Sequence, residues 1–536
     1  MTAYDVYNWC ETKPGVWQRE ADEAEIFHTT CIKFLQPETG ERAINILFHV
    51  SLTVPVPEET DFDATSELFD ESIHIAWARL RHDMPGLSTY AVFDVANQKW
   101  LRTYESIAGQ RRRDIWLRQT FNTVENGQTF AEWANTARTT SLIATLDVIT
   151  PPQSSSSEIH RDLGLRIDHD LIDGTGGFQV LNALIHHISA AFNEGPKAKL
   201  PIFDDSEVVR LSPPARVALR APEKLELKGE GVQIIKPPAS QIENARIPIL
   251  NMKPGGVNTG RPRFLRRTLS AQQSVKLIKA CKAAGASPAH ATHTAMAMAV
   301  RDFHGQVHPG SEGKQVQYYG TVLRNERARC TPPYNTSAHS ATLYFSFYSR
   351  GLTIAMPSLI LKTGKERNAQ FSRYLQETTD FYAQVKDDKL QAAASPFIFA
   401  KMTPKLTFPT TADDPLEWRR LNPLPVKDPK EGGTAWLSSL GVLDRIVDRQ
   451  VGRIRVEDPW LMSVCLNSGL SIFLATYKGK LGTVLVYNDT WHTEEEAEWW
   501  LNRCLEIQLG WADGFEETEY DGQKNYLDML RLRLYN

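Results

Sequence analysis

The residues best placed to do chemistry lie within IHRDLGLRIDHDLIDGTGGFQVLNALIHHISAAF, residues 159–192. A strand-like run, Leu163 to Asp168, leads into His169. After three further residues come Asp173 and Gly174, and a helix follows at once. Phe178, Leu181, Ile185, Ile188 and Phe192 recur at helical spacing. Asn193, Gly195 and Pro196 stop the helix. His169 therefore occupies a tight turn between a strand end and a helix start, where a rigid scaffold can hold a base and still expose it. A hydroxyl that attacks as a nucleophile must lose its proton in the transition state. Histidine is the side chain whose ordinary pKa suits taking that proton near neutrality. Asp173 is too far around the turn to be assumed a partner of His169, and fits a loop anchor paired with a basic side chain. Gly174 fits a positive-φ position or a close backbone approach. By itself the His-x-x-x-Asp-Gly pattern suits a core histidine in a loop as well as a base; the strand before it and the amphipathic helix after it favour the base.

The elements that must position this turn come from a long chain. At 536 residues it exceeds one ordinary core, and two domains are expected. The net charge of −4 gives no sign of a nucleic-acid or anionic-membrane surface. Cys10, Cys31, Cys281, Cys330, Cys465 and Cys504 are scattered and form no C-x-x-C pair, which fits a reducing compartment. The first residues, MTAYDVYNWCETKPGVWQRE, lack a basic region followed by an apolar run, and no long apolar stretch occurs, so a cytoplasmic protein with no membrane span is expected. A metal centre would need more than His169 with Asp173, or His186 with His187, and no further ligands stand at recognisable spacing, so no metal is expected. There is neither a Walker sequence for a nucleotide nor a Gly-x-Ser-x-Gly elbow for an acyl-enzyme.

In chain order, ILFHVSLTVPVP (46–57) reads as a strand ended by prolines. Residues 62–82 read as an amphipathic helix broken at Asp83–Gly86, with a strand over Leu87 to Asp94. Residues 112–137 read as partly helical and 142–149 as a strand. With the strand leading to His169 and the helix after it, these make an N-terminal half, 1–195. Residues 196–260, rich in proline, glycine and charge, read as a crossover or linker. The second half, 261–536, opens on the basic strand RPRFLRRTLS. Ser270 with Gln273 forms a capping box for the next helix, and an Ala-rich helix covers 287–303. Strands are expected over 316–333, running into a basic turn, and over 341–348, then two helices in 357–400 and irregular chain over 404–433. A strand in 434–447, a hairpin turning at Lys478-Gly479, and a helix with a Glu-rich first turn close the chain.

In their order, the helix running into "MPGL", the strand-HDLIDG-helix unit, the capped helix followed by the Ala-rich one, the strand VLRNER, and the final hairpin and helix resemble the CoA-dependent acyltransferase superfamily. That superfamily has a chloramphenicol acetyltransferase-like fold and includes plant alcohol acyltransferases and peptide-synthetase condensation domains. The resemblance spans nearly the whole chain. It implies a mixed α/β (α+β) architecture of two similar halves with an active-site tunnel between them. It further implies that His169 is the general base and Asp173 structural, with Asp173 paired to an arginine of the second half, Arg324 first and Arg327 second. The chain departs from the plant enzymes in lacking Asp-Phe-Gly-Trp-Gly. TAWLSSLGVLD stands at about that place, nearer in pattern to condensation domains and fungal acetyltransferases, and Ser438 and Ser439 read there as ordinary strand serines. Length and insertions look most like the fungal trichothecene acetyltransferases, especially the 15-O-acetyltransferase.

The resemblance thus implies acetyl-CoA as co-substrate with no bound cofactor, a small apolar alcohol as acceptor and a monomeric protein. Two other functions fit the same fold: a condensation-type enzyme taking its acyl group from a carrier protein, and a catalytically silent ligand-binding protein. For the CoA phosphates the candidates are Arg263, Arg266, Lys276 and Lys279, from a basic cluster that suits a solvated face as well. GTGG at 174–177 suits either an anion at a helix N-terminus or tight turning beside His169.

Overall fold

A computed structural model describes residues 4–39, 43–136, 142–152, 157–224, 243–245, 247, 260–307, 314–358, 364–403, 433–465 and 467–514. The expected irregular stretch over 404–433 lies almost wholly outside these residues, as do 225–242, 246 and 248–259 of the expected linker over 196–260. Within that linker, Ser206–Arg210 forms a 3₁₀ turn and Ala215–Ala218 a short helix.

The framework of the His169 turn is a six-stranded sheet. Its order runs Gln450–Val451, Ile454–Ser463, Asn45–Pro55, Glu158–Asp168, Thr145–Ile149 and Phe121–Val124. The long central pair is antiparallel, from Asn45 opposite Asp168 to Pro55 opposite Glu158. NILFHVSLTVP alternates only weakly because both faces of its strand are covered, and a strand buried on both sides reads as a nearly continuous apolar run. On one face Phe48, Val50 and Leu52 pack with Phe69, Ile73 and Trp77 of helix Phe62–Asp83 and with Phe178, Leu181 and Ile185 of helix Gly174–Glu194. On the other, Leu47 packs with Phe130 and Trp460. Full burial of such side chains stabilises by about 1.5–3 kcal/mol each before ordering costs, which holds the end of the His169 strand still.

A second sheet has the order Pro262–Thr268, Lys480–Asn488, Leu470–Tyr477 and Ala435–Val442. Its hairpin turns at Lys478 and Gly479, both at positive φ, as a two-residue turn requires. Helices Ala271–Ala283, Pro288–Val307 and Glu494–Ala512 cover one face through Leu277, Ala295, Trp500 and Leu501. The Ser270–Gln273 capping box is present, and Thr493 with Glu496 caps the last helix in the same way. The alanines of Pro288–Val307, among them Ala291, Ala295 and Ala299, are buried and let neighbouring helices approach closely.

One sheet takes strands from both sides of the expected division at residues 195 and 261. Strand Ile454–Ser463, far beyond 261, pairs antiparallel with Asn45–Pro55, so the later chain returns to extend the first sheet. The sequence IRVEDPWLMS hides this strand. A bulge between Glu457 and Trp460, with Asp458 at positive φ, breaks its alternation. Smaller differences follow the same logic. The strand expected from Leu87 begins at Thr89 after a 3₁₀ turn, Pro85–Ser88. The strand expected over 341–348 is confined to Phe345–Phe347. Residues 4–39, for which the sequence suggests no element, contain two strands, Cys10–Lys13 and Val16–Glu20, and helix Glu23–Thr39. No helix among the described residues is long and apolar enough to cross a membrane.

Candidate active site

His169 follows directly on strand Glu158–Asp168, and Asp173 caps helix Gly174–Glu194. The Asp173 carboxylate accepts from Gly176 N at 2.9 Å, the ordinary N-cap bond. It also accepts from Arg327 Nη1 at 2.6 and 2.5 Å and from Tyr344 N at 3.0 Å. Arg327 in turn donates through Nη2 to the carbonyls of Ser340 and Thr342, at 3.2 and 3.1 Å. Asp173 and Arg327 are only 5% and 7% exposed. This network ties the His169 turn to residues more than 150 positions later.

Arg324, the first candidate for this pairing, does not make it. Its guanidinium meets Glu326 at 2.6 Å and the carbonyls of Val385 and Asp388 at 2.8 and 2.6 Å. The reason is local geometry. Arg324 belongs to strand Leu323–Asn325, whereas Arg327 begins the following 3₁₀ turn. Gly174 is not at positive φ; a Cβ there would lie 2.7 Å from Leu440, so the position demands close approach. At Gly176 a Cβ would lie 2.3 Å from the Ser340 carbonyl oxygen. The GTGG run is therefore packed tightly, and its helix N-terminus is capped by the chain's own Asp173.

His169 opens onto a cavity of about 370 Å³ lined by Asp173 and Thr175, by Leu323, Asn325 and Phe345, by His290 and Tyr382, and by Leu437 to Gly441. Residues from both parts of the chain thus enclose it. Asn325 Nδ2 donates to Thr175 Oγ1 across the cavity wall at 3.2 Å. Ser438 and Ser439, expected to be ordinary strand serines, belong to strand Ala435–Val442 and also line this cavity. The Nδ1 atom of His169 is buried with no hydrogen-bond partner, so Nε2 is the nitrogen that can meet a ligand. Burial holds the imidazole below its ordinary pKa of 6.5, against the opposite pull of the Asp173 carboxylate and nearby backbone. A neutral imidazole in such a cavity can accept a proton from a hydroxyl.

One neighbour of His169 escaped the sequence reading. His28, on helix Glu23–Thr39, is buried with its ring 4.8 Å from that of His169. Phe345 lies 5.5 Å from each ring, so His169 sits in an aromatic nest. His28 Nδ1 is 2.7 Å from the Ala24 carbonyl oxygen, which can only accept, so Nδ1 carries the proton. Burial and the nearby His169 hold His28 far below the ordinary histidine range. Its helix is fastened to the same turn, because Thr29 Oγ1 donates to Asp170 at 2.8 Å. The helix was missed because its buried face includes Glu25, His28, Thr29 and Thr30. Polar residues satisfied inside a core leave no apolar periodicity to read.

The four cations expected to meet CoA phosphates do not line the His169 cavity. Arg263 bonds Asp489 at 3.1 Å and the Asn135 carbonyl at 2.7 Å. Lys276 pairs with Asp513, and Lys279 is exposed on the same helix. Arg266 pairs with Asp458 at 2.6 Å, lies over the Trp460 ring, and lines a second cavity of about 290 Å³ with Lys478 and Lys480. Leu440 lines both cavities. His186 pairs with Asp448 and His187 with Asp83. Among the described residues no group of three or more histidine, cysteine or carboxylate side chains could hold a metal ion.

No family model matches the sequence. An acetyltransferase of Monascus ruber, pigO, is 25% identical over 350 residues, 63% of this chain and 68% of the relative. Among solved structures, the TRI3 trichothecene 15-O-acetyltransferase of Fusarium sporotrichioides superposes with a TM-score of 0.71 at 14% identity, covering 94% of this chain and 98% of that one. The first condensation domain of the CDA synthetase superposes with a TM-score of 0.50 at 12% identity, covering 94% and 99%. The fold is thus the chloramphenicol acetyltransferase-like fold expected from the sequence. Together with the fungal acetyltransferase relative, it supports an acyltransferase enzyme.

Proposed function

We propose that this acyltransferase moves an acetyl group from acetyl-CoA to a hydroxyl of a small apolar secondary metabolite, with the C-15 hydroxyl of a trichothecene as the leading acceptor. The observation that carries the reading is a neutral histidine, fixed in its turn by the Asp173–Arg327 network, that faces a cavity enclosed from both parts of the chain. Leu323, Phe345, Leu437 and Leu440 suit an apolar acceptor there. The TRI3 structural neighbour, named for 15-O-acetylation of a trichothecene, supplies the choice of acceptor.

In the proposed reaction His169 Nε2 removes the hydroxyl proton as the oxygen attacks the thioester carbonyl. The tetrahedral oxyanion collapses, the C–S bond breaks, and the CoA thiolate leaves, with His169 returning the proton to it. Asp173 takes no proton in this scheme; it holds the turn. Of the four candidate cations, Arg266 has the best placement to meet a CoA phosphate, with Lys478 and Lys480 in the cavity that shares Leu440. Arg263, Lys276 and Lys279 are solvated-face residues in this scheme.

The test is mass analysis of products from acetyl-CoA and a trichothecene with a free 15-hydroxyl, beside the same acyl group on a phosphopantetheinyl carrier. Acetylation from CoA at C-15 is expected. Transfer from the carrier alone would establish the condensation-type reading instead, and binding of the alcohol without transfer from either donor would establish a silent binding protein.

The protonation state gives a second prediction. The reactive form of His169 is neutral, and burial lowers its pKa below 6.5. Activity should therefore rise from acid pH along a limb with its midpoint below 6.5, then level off. A midpoint above 6.5 in kcat/KM would contradict a buried neutral base.

A further inference from the structure

The scheme above leaves the developing oxyanion without a donor, and a chain of buried hydrogen bonds ends on a residue of the cavity lining. His293, on helix Pro288–Val307, is fully buried. Its Nδ1 is 3.0 Å from the hydroxyl of Tyr382, and its Nε2 is 2.9 Å from the hydroxyl of Tyr318. Tyr382, on helix Gly364–Asp387, lines the His169 cavity; Tyr318 is 1% exposed and does not. His290, which also lines the cavity, stacks on the Tyr382 ring at 4.6 Å and is itself held through Nδ1, 3.2 Å from Thr379 Oγ1.

Proton bookkeeping then fixes the direction of the chain. Burial holds His293 down to about 3, so it carries one ring proton, with one nitrogen donating and the other accepting. Among the described residues, the only hydrogen-bond partner of the Tyr318 hydroxyl is His293 Nε2. If Nε2 carried the proton, Tyr318 would accept it and its own buried O–H would be left unpaired, which is costly. Tyr318 therefore donates to Nε2, the proton of His293 sits on Nδ1, and Nδ1–H donates to the Tyr382 oxygen. Having accepted that bond, Tyr382, a residue of the cavity lining, keeps its own O–H uncommitted to any partner among the described residues. Burial raises its phenol pKa, so that proton stays in place.

We propose that the Tyr382 hydroxyl is the donor that stabilises the acyl carbonyl as it becomes an oxyanion, and that His293 and Tyr318 are positioning residues that keep its proton free. This assignment rests on the acyl-transfer reading given above. It adds a catalytic residue 213 positions beyond the base (382 − 169) that the sequence does not single out.

Two measurements test it. Nitrogen-15 NMR of histidine-labelled protein, with the His293 signals assigned by their loss in His293→Asn, reads the tautomer without any substrate. Protonation of Nδ1 is expected in the parent, with the preference lost in Tyr318→Phe. A proton on Nε2 in the parent would overturn the proposal. Kinetically, Tyr382→Phe keeps the stacked ring and removes only the hydroxyl. It is expected to lower kcat by about 10²–10³-fold, the usual effect of losing one oxyanion donor, with KM for acetyl-CoA within a few-fold of the parent. Parental kcat in Tyr382→Phe would overturn the assignment. If the parent itself consumed no acetyl-CoA, the acyl-transfer reading would fail, whereas the nitrogen spectrum would still decide which way the chain of hydrogen bonds runs.

Discussion

Replacing His169 by alanine is expected to reduce ester formation by about 10²–10⁴-fold, the range a positioned general base contributes, without unfolding the protein. The two halves of this expectation have separate physical grounds. The rate falls because His169 is the imidazole that the Asp173–Arg327 network holds at the cavity; His28 does not line that cavity, and His290, which does, is stacked on the Tyr382 ring. The fold persists because His169 forms no ion pair and no hydrogen bond to another side chain among the described residues, so its removal orphans no buried charge. Activity and a thermal melt measured on the same preparation check both. A variant that kept parental activity would remove His169 from the mechanism.

Asp173→Ala is expected to behave in the opposite way, with a large loss of stability that carries the activity with it. The substitution removes the acceptor for Arg327 Nη1, Gly176 N and Tyr344 N together. It leaves a guanidinium that is 7% exposed without its counter-charge. Breaking a buried ion pair from one side costs about 3–5 kcal/mol, and the lost helix cap adds about 1 kcal/mol. Asp173→Asn keeps an N-cap oxygen while losing the charge, so it should fall between parent and alanine variant. Denaturant melts of the three proteins check the order. Parent-like stability in Asp173→Ala would mean that the network does not hold the turn.

The parts of this site legible in the sequence were those with local signatures. The strand, the turn with His169 and Asp173, and the helix after it follow from periodicity and capping within about 35 residues. The hairpin at Lys478-Gly479 and the Ser270 capping box were legible for the same reason. Parts assembled over long range were not. Arg324 and Arg327 are equally basic and three residues apart, and only the turn that begins after strand Leu323–Asn325 decides which one reaches Asp173. His28 stands on a helix with a polar buried face, and Ile454–Ser463 is interrupted by a bulge, so neither produced a clean period. The Tyr382–His293–Tyr318 chain joins three elements whose proximity no spacing announces.

The reaction itself is tested most directly by following thiol release from acetyl-CoA and ester formation together, with a trichothecene bearing a free 15-hydroxyl. The proposed direct transfer predicts one thiol released for each ester formed, with no release when the alcohol is omitted. Thiol release without ester, or no release from folded protein over a panel of alcohols, would contradict acetyl transfer from CoA at His169.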